Sequence, residues 1–96
     1  AWAAAAAPPI EQMVQSAEAP GDHWRLVEYY REAAADARRQ GAEHRRLAEV
    51  YSSRLSWGMA FAARAREHCE ELAAFEERRA AHLDRLAAEH ERMAQQ

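Results

Sequence analysis

A short stretch of the sequence occurs twice, and this repetition constrains the fold more than any other feature. The segments 42–48 (AEHRRLA) and 88–94 (AEHERMA) are separated by 46 positions. The same offset aligns His44 with His90 and, further back, His23 with Cys69. The pattern therefore predicts a tandem repeat, in which one structural unit occurs twice.

The composition indicates that the repeated unit is helical. Ala, Glu, Arg and Leu make up 57 of the 96 residues, and all four are strong helix formers. No run of β-branched residues predicts a strand. Leu, Ile, Val and Phe together supply only 12 residues, so a core built by one copy of the chain would be small. We therefore predict an all-α protein that needs a partner.

Proline, glycine and serine divide the chain into segments. Residues 1–9 (AWAAAAAPP) are uncharged and low in complexity, which is typical of the region around a signal-peptidase cleavage site. A flexible linker is the alternative for this segment. We predict a single domain over 10–96, with a short helix over 10–18 and long helices over 22–54 and 59–95.

Three positions define the limits of the long helices. Asp22 is a favourable N-cap for the first of them. The turn formers Ser56 to Gly58 place a short connection before the second, so we expect antiparallel neighbours. Gly41 costs about 1 kcal/mol inside a helix. An alternative fold breaks there and makes a compact monomer of three or four helices, but alanine at the matching repeat position, 87, favours an unbroken helix.

Apolar and small residues recur along both long helices at alternating steps of three and four, as in packed helices. The predicted seam between the helices consists of His23, Leu26, Tyr30, Ala33, Ala37, Gln40, His44, Leu47 and Tyr51, opposite Ala65, Cys69, Leu72, Phe75, Arg79, Leu83, Leu86, His90 and Met93. In an antiparallel hairpin with this connection, residues whose numbers add to about 113 lie at one level. His23 then faces His90 at the open end. Near the turn, His44 faces Cys69 or the adjacent His68.

These side chains suggest a metal or haem site. Imidazole, thiolate and thioether groups bind copper, zinc or haem iron, and helical bundles often collect such ligands along a seam. Two ligands per level are too few for a closed zinc site, so a symmetric dimer would double each set. The alternative is that they are polar seam residues bonded to Tyr, Glu or water. The predicted ligands are His23, His44, His68, Cys69, His90 and Met93.

Other classes of function find no support in the sequence. It contains no His-Glu-x-x-His, Cys-x-x-Cys-His or Glu-x-x-His motif, no phosphate-binding glycine loop and no nucleophile elbow, so we do not expect an enzyme. All 13 basic residues are arginine, but 16 acidic residues interleave with them, which argues against nucleic-acid binding. No apolar run approaches the ~20 residues that span a bilayer.

Four motifs carry a resemblance to a group of small, exported, largely uncharacterised helical proteins of Gram-negative bacteria. Their pattern is His-x-x-Leu-Ala-x-Tyr-Tyr, Ala-x-x-His-x-x-Met-Ala, His-Cys-x-x-Leu and Leu-Ala-x-x-His-x-x-Met-Ala. The chain departs from it at Val27, Gly41 and Leu47, which replace Ala, Ala and Met. The resemblance implies that the protein is exported, to the periplasm or beyond, and that its fold is helical, and it implies no chemistry. The matching residues are His23, Leu26, Tyr29 and Tyr30; His44 and Ala48; His68, Cys69 and Leu72; and Leu86, Ala87, His90, Met93 and Ala94.

Together these features predict a long antiparallel helical hairpin with a short N-terminal helix, which dimerises into a four-helix bundle. The first functional hypothesis is a non-enzymatic protein of the bacterial envelope that binds copper, zinc or haem through its seam His and Cys residues for storage or transfer. The alternative is a structural or adaptor hairpin that binds a protein partner or itself without a cofactor.

Overall fold

A computed structural model describes residues 9–96 of the chain. It confirms the predicted all-α hairpin, because the described part contains helices and no strand. The prediction of a flexible segment over 1–9 falls on residues that lie, apart from Pro9, outside this part. The elements are α1 (Ile10–Ser16), α2 (Pro20–Ser52), a 3-10 turn (Leu55–Trp57) and α3 (Met59–Ala94).

The start of α2 differs from the predicted Asp22 N-cap. The helix begins at Pro20, with Ala19 as N-cap, because proline lacks an N–H and suits the first helical position. Asp22 instead accepts hydrogen bonds from the backbone N–H groups of Glu18 and Ala19, at 3.1 and 3.0 Å. These bonds lower the pKa of the Asp22 carboxyl group below its ordinary value, and the bond from Glu18 has the larger effect. Asp22 thus caps the helix from inside the first turn.

The two long helices are continuous and antiparallel. α2 passes through Gly41 without a break, so the alternative three- or four-helix monomer does not form. Gly58 follows the 3-10 turn with φ of 104°, a conformation that other residues rarely adopt, and α3 begins at the next residue. The connection lies where the turn formers predicted it. The predicted helix ends at 54 and 95 lie within two residues of the observed ends.

Small residues fill the contact between α2 and α3. They form one row on each helix, and the members of a row are seven residues apart. We call the two rows together the alanine seam. Beyond the rows, Ala37 and Leu83 pack against Ala34 and Ala80. A Cβ added to Gly41 would lie 3.5 Å from the backbone oxygen of Ala73. The alanine seam consists of Val27, Ala34, Gly41 and Ala48 on α2, and Ala73, Ala80, Ala87 and Ala94 on α3.

Three ion pairs join the helices along one side of the alanine seam, which we call the ion-paired flank. Successive pairs are seven residues apart on each helix, so they match the spacing of the alanine rows. The repeated step fixes one register over the middle of the hairpin. The pairs are Arg31 with Glu91 at 2.8 Å, Arg38 with Asp84, and Arg45 with Glu77 at 2.8 Å through Nε.

Large apolar side chains lie along the other side of the seam, which we call the apolar flank. Leu72 precedes seam residue Ala73 by one position, a rotation of about −100°, whereas Glu77 follows it by four, about +40°. The predicted seam was wrong for the large apolar residues, because it placed them between the helices. These residues are Leu47, Leu72, Phe75, Leu86 and Met93. The apolar flank consists of Leu47 and Val50 of α2 and Leu72, Phe75, Leu86 and Met93 of α3, each between 40% and 58% exposed.

Candidate functional site

Two histidines meet across the open end of the hairpin. The Nδ1 atoms of His23 on α2 and His90 on α3 are 3.0 Å apart, within hydrogen-bonding distance. The His23 side chain is buried at 8% exposure, and His90 is half-buried. The contact that the helix register predicted between these residues is therefore present.

Tyr30 holds the His90 ring from the opposite side. The ring centroids of His23 and His90 are 5.3 Å apart, and those of Tyr30 and His90 are 5.8 Å apart, with both pairs stacked. His23 and Tyr30 are seven residues, or about two turns, apart on α2, so the His90 imidazole of α3 lies between them. Sequence reasoning left Tyr30 out of the site, although its place two turns after His23 on the predicted seam marked it.

The environment favours the neutral form of the His90 imidazole. Burial lowers the pKa of His90 below its ordinary value, and the neighbouring His23 lowers it further, while Glu89 raises it. A neutral imidazole has one N–H donor and one acceptor nitrogen. The 3.0 Å contact therefore joins one ring that carries a proton on Nδ1, and donates it, to one ring whose Nδ1 is unprotonated and accepts it.

The second predicted level does not form an equivalent contact. Within residues 9–96, Nδ1 of His44 is the single buried side-chain nitrogen or oxygen atom without a hydrogen-bond partner. No hydrogen bond joins it to Cys69, whose free thiol is buried in the α2–α3 contact. His68 is exposed, and Met93 is half exposed on the apolar flank. A ligand role for these four residues stays a prediction.

The described residues contain no group of three or more His, Cys, Asp or Glu side chains that would hold a metal ion. His23 and His90 alone could supply only two ligands, so an ion at this pair would need further ligands from water or from another molecule. No helix in the described part is long and apolar enough to cross a membrane.

Comparison of the chain with models of protein families, with curated proteins and with solved structures found no match. Its function is therefore inferred from its own side chains.

Proposed function

We propose that this chain is a non-enzymatic structural or adaptor hairpin, which pairs with a second copy of itself through the apolar flank to form a four-helix bundle. The observation that supports the proposal is the inverted placement of side chains. The buried side chains are mostly alanine, and the largest that are fully buried are Leu26 and Val27. Leu72, Phe75 and Leu86, by contrast, face outward along α3. Exposed apolar rows of this length mark interaction surfaces.

The shape of the hairpin supports the same conclusion. Its radius of gyration is 18.8 Å, whereas a compact domain of this length would have about 12.5 Å. Its accessible surface is 7177 Å², against about 5,600 Å² for a compact monomer of 10.9 kDa. The difference of about 1,600 Å² follows from the elongated shape, which leaves the apolar flank uncovered by the chain's own helices.

A second copy fits the apolar flank better than an unrelated partner. The exposed row on α3 follows the alternating steps of three and four that define a packed stripe, so two α3 helices related by a two-fold axis present matching rows. A net charge of −3 gives little repulsion between copies. The row consists of Phe61, Ala65, His68, Leu72, Phe75, Arg79, His82, Leu86, Glu89 and Met93.

Sedimentation equilibrium at micromolar concentration tests the proposal. We expect a dimer for the natural sequence and a monomer for the double variant Leu72→Glu with Phe75→Glu, because a buried, unpaired carboxylate opposes association. Leu55→Glu is the matched control, since Leu55 is 58% exposed in the turn and outside the apolar flank. This variant should remain dimeric. A helical monomer for the natural sequence, or a dimer that survives the double substitution, would contradict the proposal.

A further inference from the structure

We propose that His23 and His90 bind one divalent transition-metal ion, Cu²⁺ or Zn²⁺, through their two Nδ1 atoms. A metal ion bound to imidazole lies about 2.0–2.1 Å from each nitrogen. At ligand angles of about 90° to 110°, the two nitrogens are then roughly 2.8 to 3.4 Å apart. The observed separation of 3.0 Å falls within this interval. The two side chains therefore already have the spacing of neighbouring ligands on a single ion.

The same distance argues against haem at this position. Two imidazoles on opposite faces of a haem iron would have their nitrogens about 4 Å apart, with the macrocycle between the rings. His23 and His90 are too close for that arrangement, and their rings stack directly. A single ion is the cofactor that the pair accommodates without moving α2 away from α3.

Metal binding would replace the shared proton without a net change of charge on the ligands. In the free pair, one Nδ1–H donates to the other Nδ1. When the ion binds, that proton leaves Nδ1, and the Nε2 atom of the same ring takes up a proton from water. Both rings are then neutral Nε2–H tautomers, and each Nδ1 donates its lone pair to the metal. Neither Nε2 atom is a buried nitrogen without a partner, which permits this exchange.

The pair is also held in place before any ion binds. Tyr30 and His23 stack on the two sides of His90, and the Arg31–Glu91 ion pair joins the adjacent residues at 2.8 Å. Ligands that are fixed in advance lose less entropy on binding. Because imidazole ligands follow the Irving–Williams order, Cu²⁺ should bind more tightly than Zn²⁺. Both ligands belong to one chain, so the site does not depend on the proposed association.

Titration calorimetry with Zn²⁺, and with Cu²⁺ against a competing chelator, tests the site on the full chain. We expect one ion per chain, and an increase of about tenfold or more in the dissociation constant for His23→Asn and for His90→Asn. His82→Asn is the matched control, because His82 is an exposed histidine on the same helix. His82→Asn and Cys69→Ser should bind as the natural sequence does.

Circular dichroism of each variant guards against loss of the fold, and the electron paramagnetic resonance spectrum of the Cu²⁺ complex supplies an independent measurement. Coupling to two imidazole nitrogens in the natural sequence, reduced to at most one in His90→Asn, would support the site. Absence of binding by the natural sequence, unchanged affinity in a helical His23→Asn/His90→Asn variant, or loss of binding in Cys69→Ser alone would overturn it.

Discussion

The alanine seam and the apolar flank lie on neighbouring faces of the same helices, and both contain residues seven positions apart, such as Ala73 and Ala80 in the seam and Leu86 and Met93 in the flank. The seam contains side chains with at most a few carbon atoms, whereas the flank contains Leu, Phe and Met. Small side chains allow two helix backbones to approach closely, and close packing supplies dispersion energy without much apolar area. The large side chains of the apolar flank offer much apolar area but would keep two helix backbones further apart.

This difference assigns separate tasks to the two faces. The seam, with the three ion pairs beside it, selects the register within one chain. In the proposed dimer, the apolar flank would supply the area that a stable bundle removes from water, because the hairpin itself leaves that area exposed. A substitution in the alanine seam should therefore change the stability of the hairpin, whereas a substitution in the apolar flank should change its association.

A large residue in the seam should produce the largest loss of stability. We expect Ala80→Leu to lower the free energy of unfolding by about 1–3 kcal/mol, because Ala80 is buried against Ala34 and Ala37 and has no space for a longer side chain. Urea denaturation measures the change. Ala42→Leu is the control, since Ala42 is exposed on α2 and should change stability by less than about 0.5 kcal/mol. Equal effects would show that the seam is loosely packed.

Gly41 in the alanine seam and Gly58 in the turn should respond in opposite directions to substitution by alanine. Gly58→Ala should destabilise the hairpin by about 1–3 kcal/mol, because its φ of 104° is strained for alanine. Gly41→Ala should stabilise it by about 0.5–1 kcal/mol, since the added Cβ makes ordinary contacts at 3.5 Å and removes the entropy cost of glycine. Thermal unfolding of both variants checks this. A destabilising Gly41→Ala would mean that the seam tolerates no added atom there.

The pair of His23 and His90 makes the stability of the hairpin sensitive to acid. The pKa of His90 is lower in the folded chain than its ordinary value of 6.5, so the unfolded chain binds more protons below that pH. The free energy of unfolding should be constant above about pH 6.5 and fall as the pH decreases through the folded pKa. Denaturation curves from pH 7.5 to 4.5 measure this loss. His90→Phe should remove part of it, and an unchanged profile in that variant would contradict the assignment.

The ion-paired flank should make the smallest contribution. Arg38 and Asp84 are both about half exposed, so we expect a coupling energy of only about 0.2–1 kcal/mol from a double-mutant cycle with alanine. The coupling should decrease between low salt and about 1 M salt, because exposed charges are screened. A larger, salt-independent coupling would show that the ion-paired flank contributes as much as the seam.

The helices, the turn and the pairing of His23 with His90 could be predicted from the sequence, because each depends on local composition or on the register that a short connection imposes. The faces of α3 could not be assigned in the same way. Its sequence contains two stripes with identical spacing, one through Ala73 and Ala80 and one through Leu72 and Leu86. Hydrophobicity alone would place the stripe through Leu72 and Leu86 against α2, whereas close approach of the two helices requires the stripe through Ala73 and Ala80. The sequence does not show which of these effects is larger.

The position of Cys69 has a consequence for kinetics. It is the only cysteine of the chain, and its thiol lies in the α2–α3 contact at 7% exposure. A water-soluble thiol reagent therefore reaches it only when the helices separate, and the labelling rate, divided by that of an unfolded thiol, equals the fraction of time the hairpin is open. The natural sequence thus contains a single chemical probe of its own opening, and comparison of labelling at low and high protein concentration would reveal whether a second copy keeps the hairpin closed.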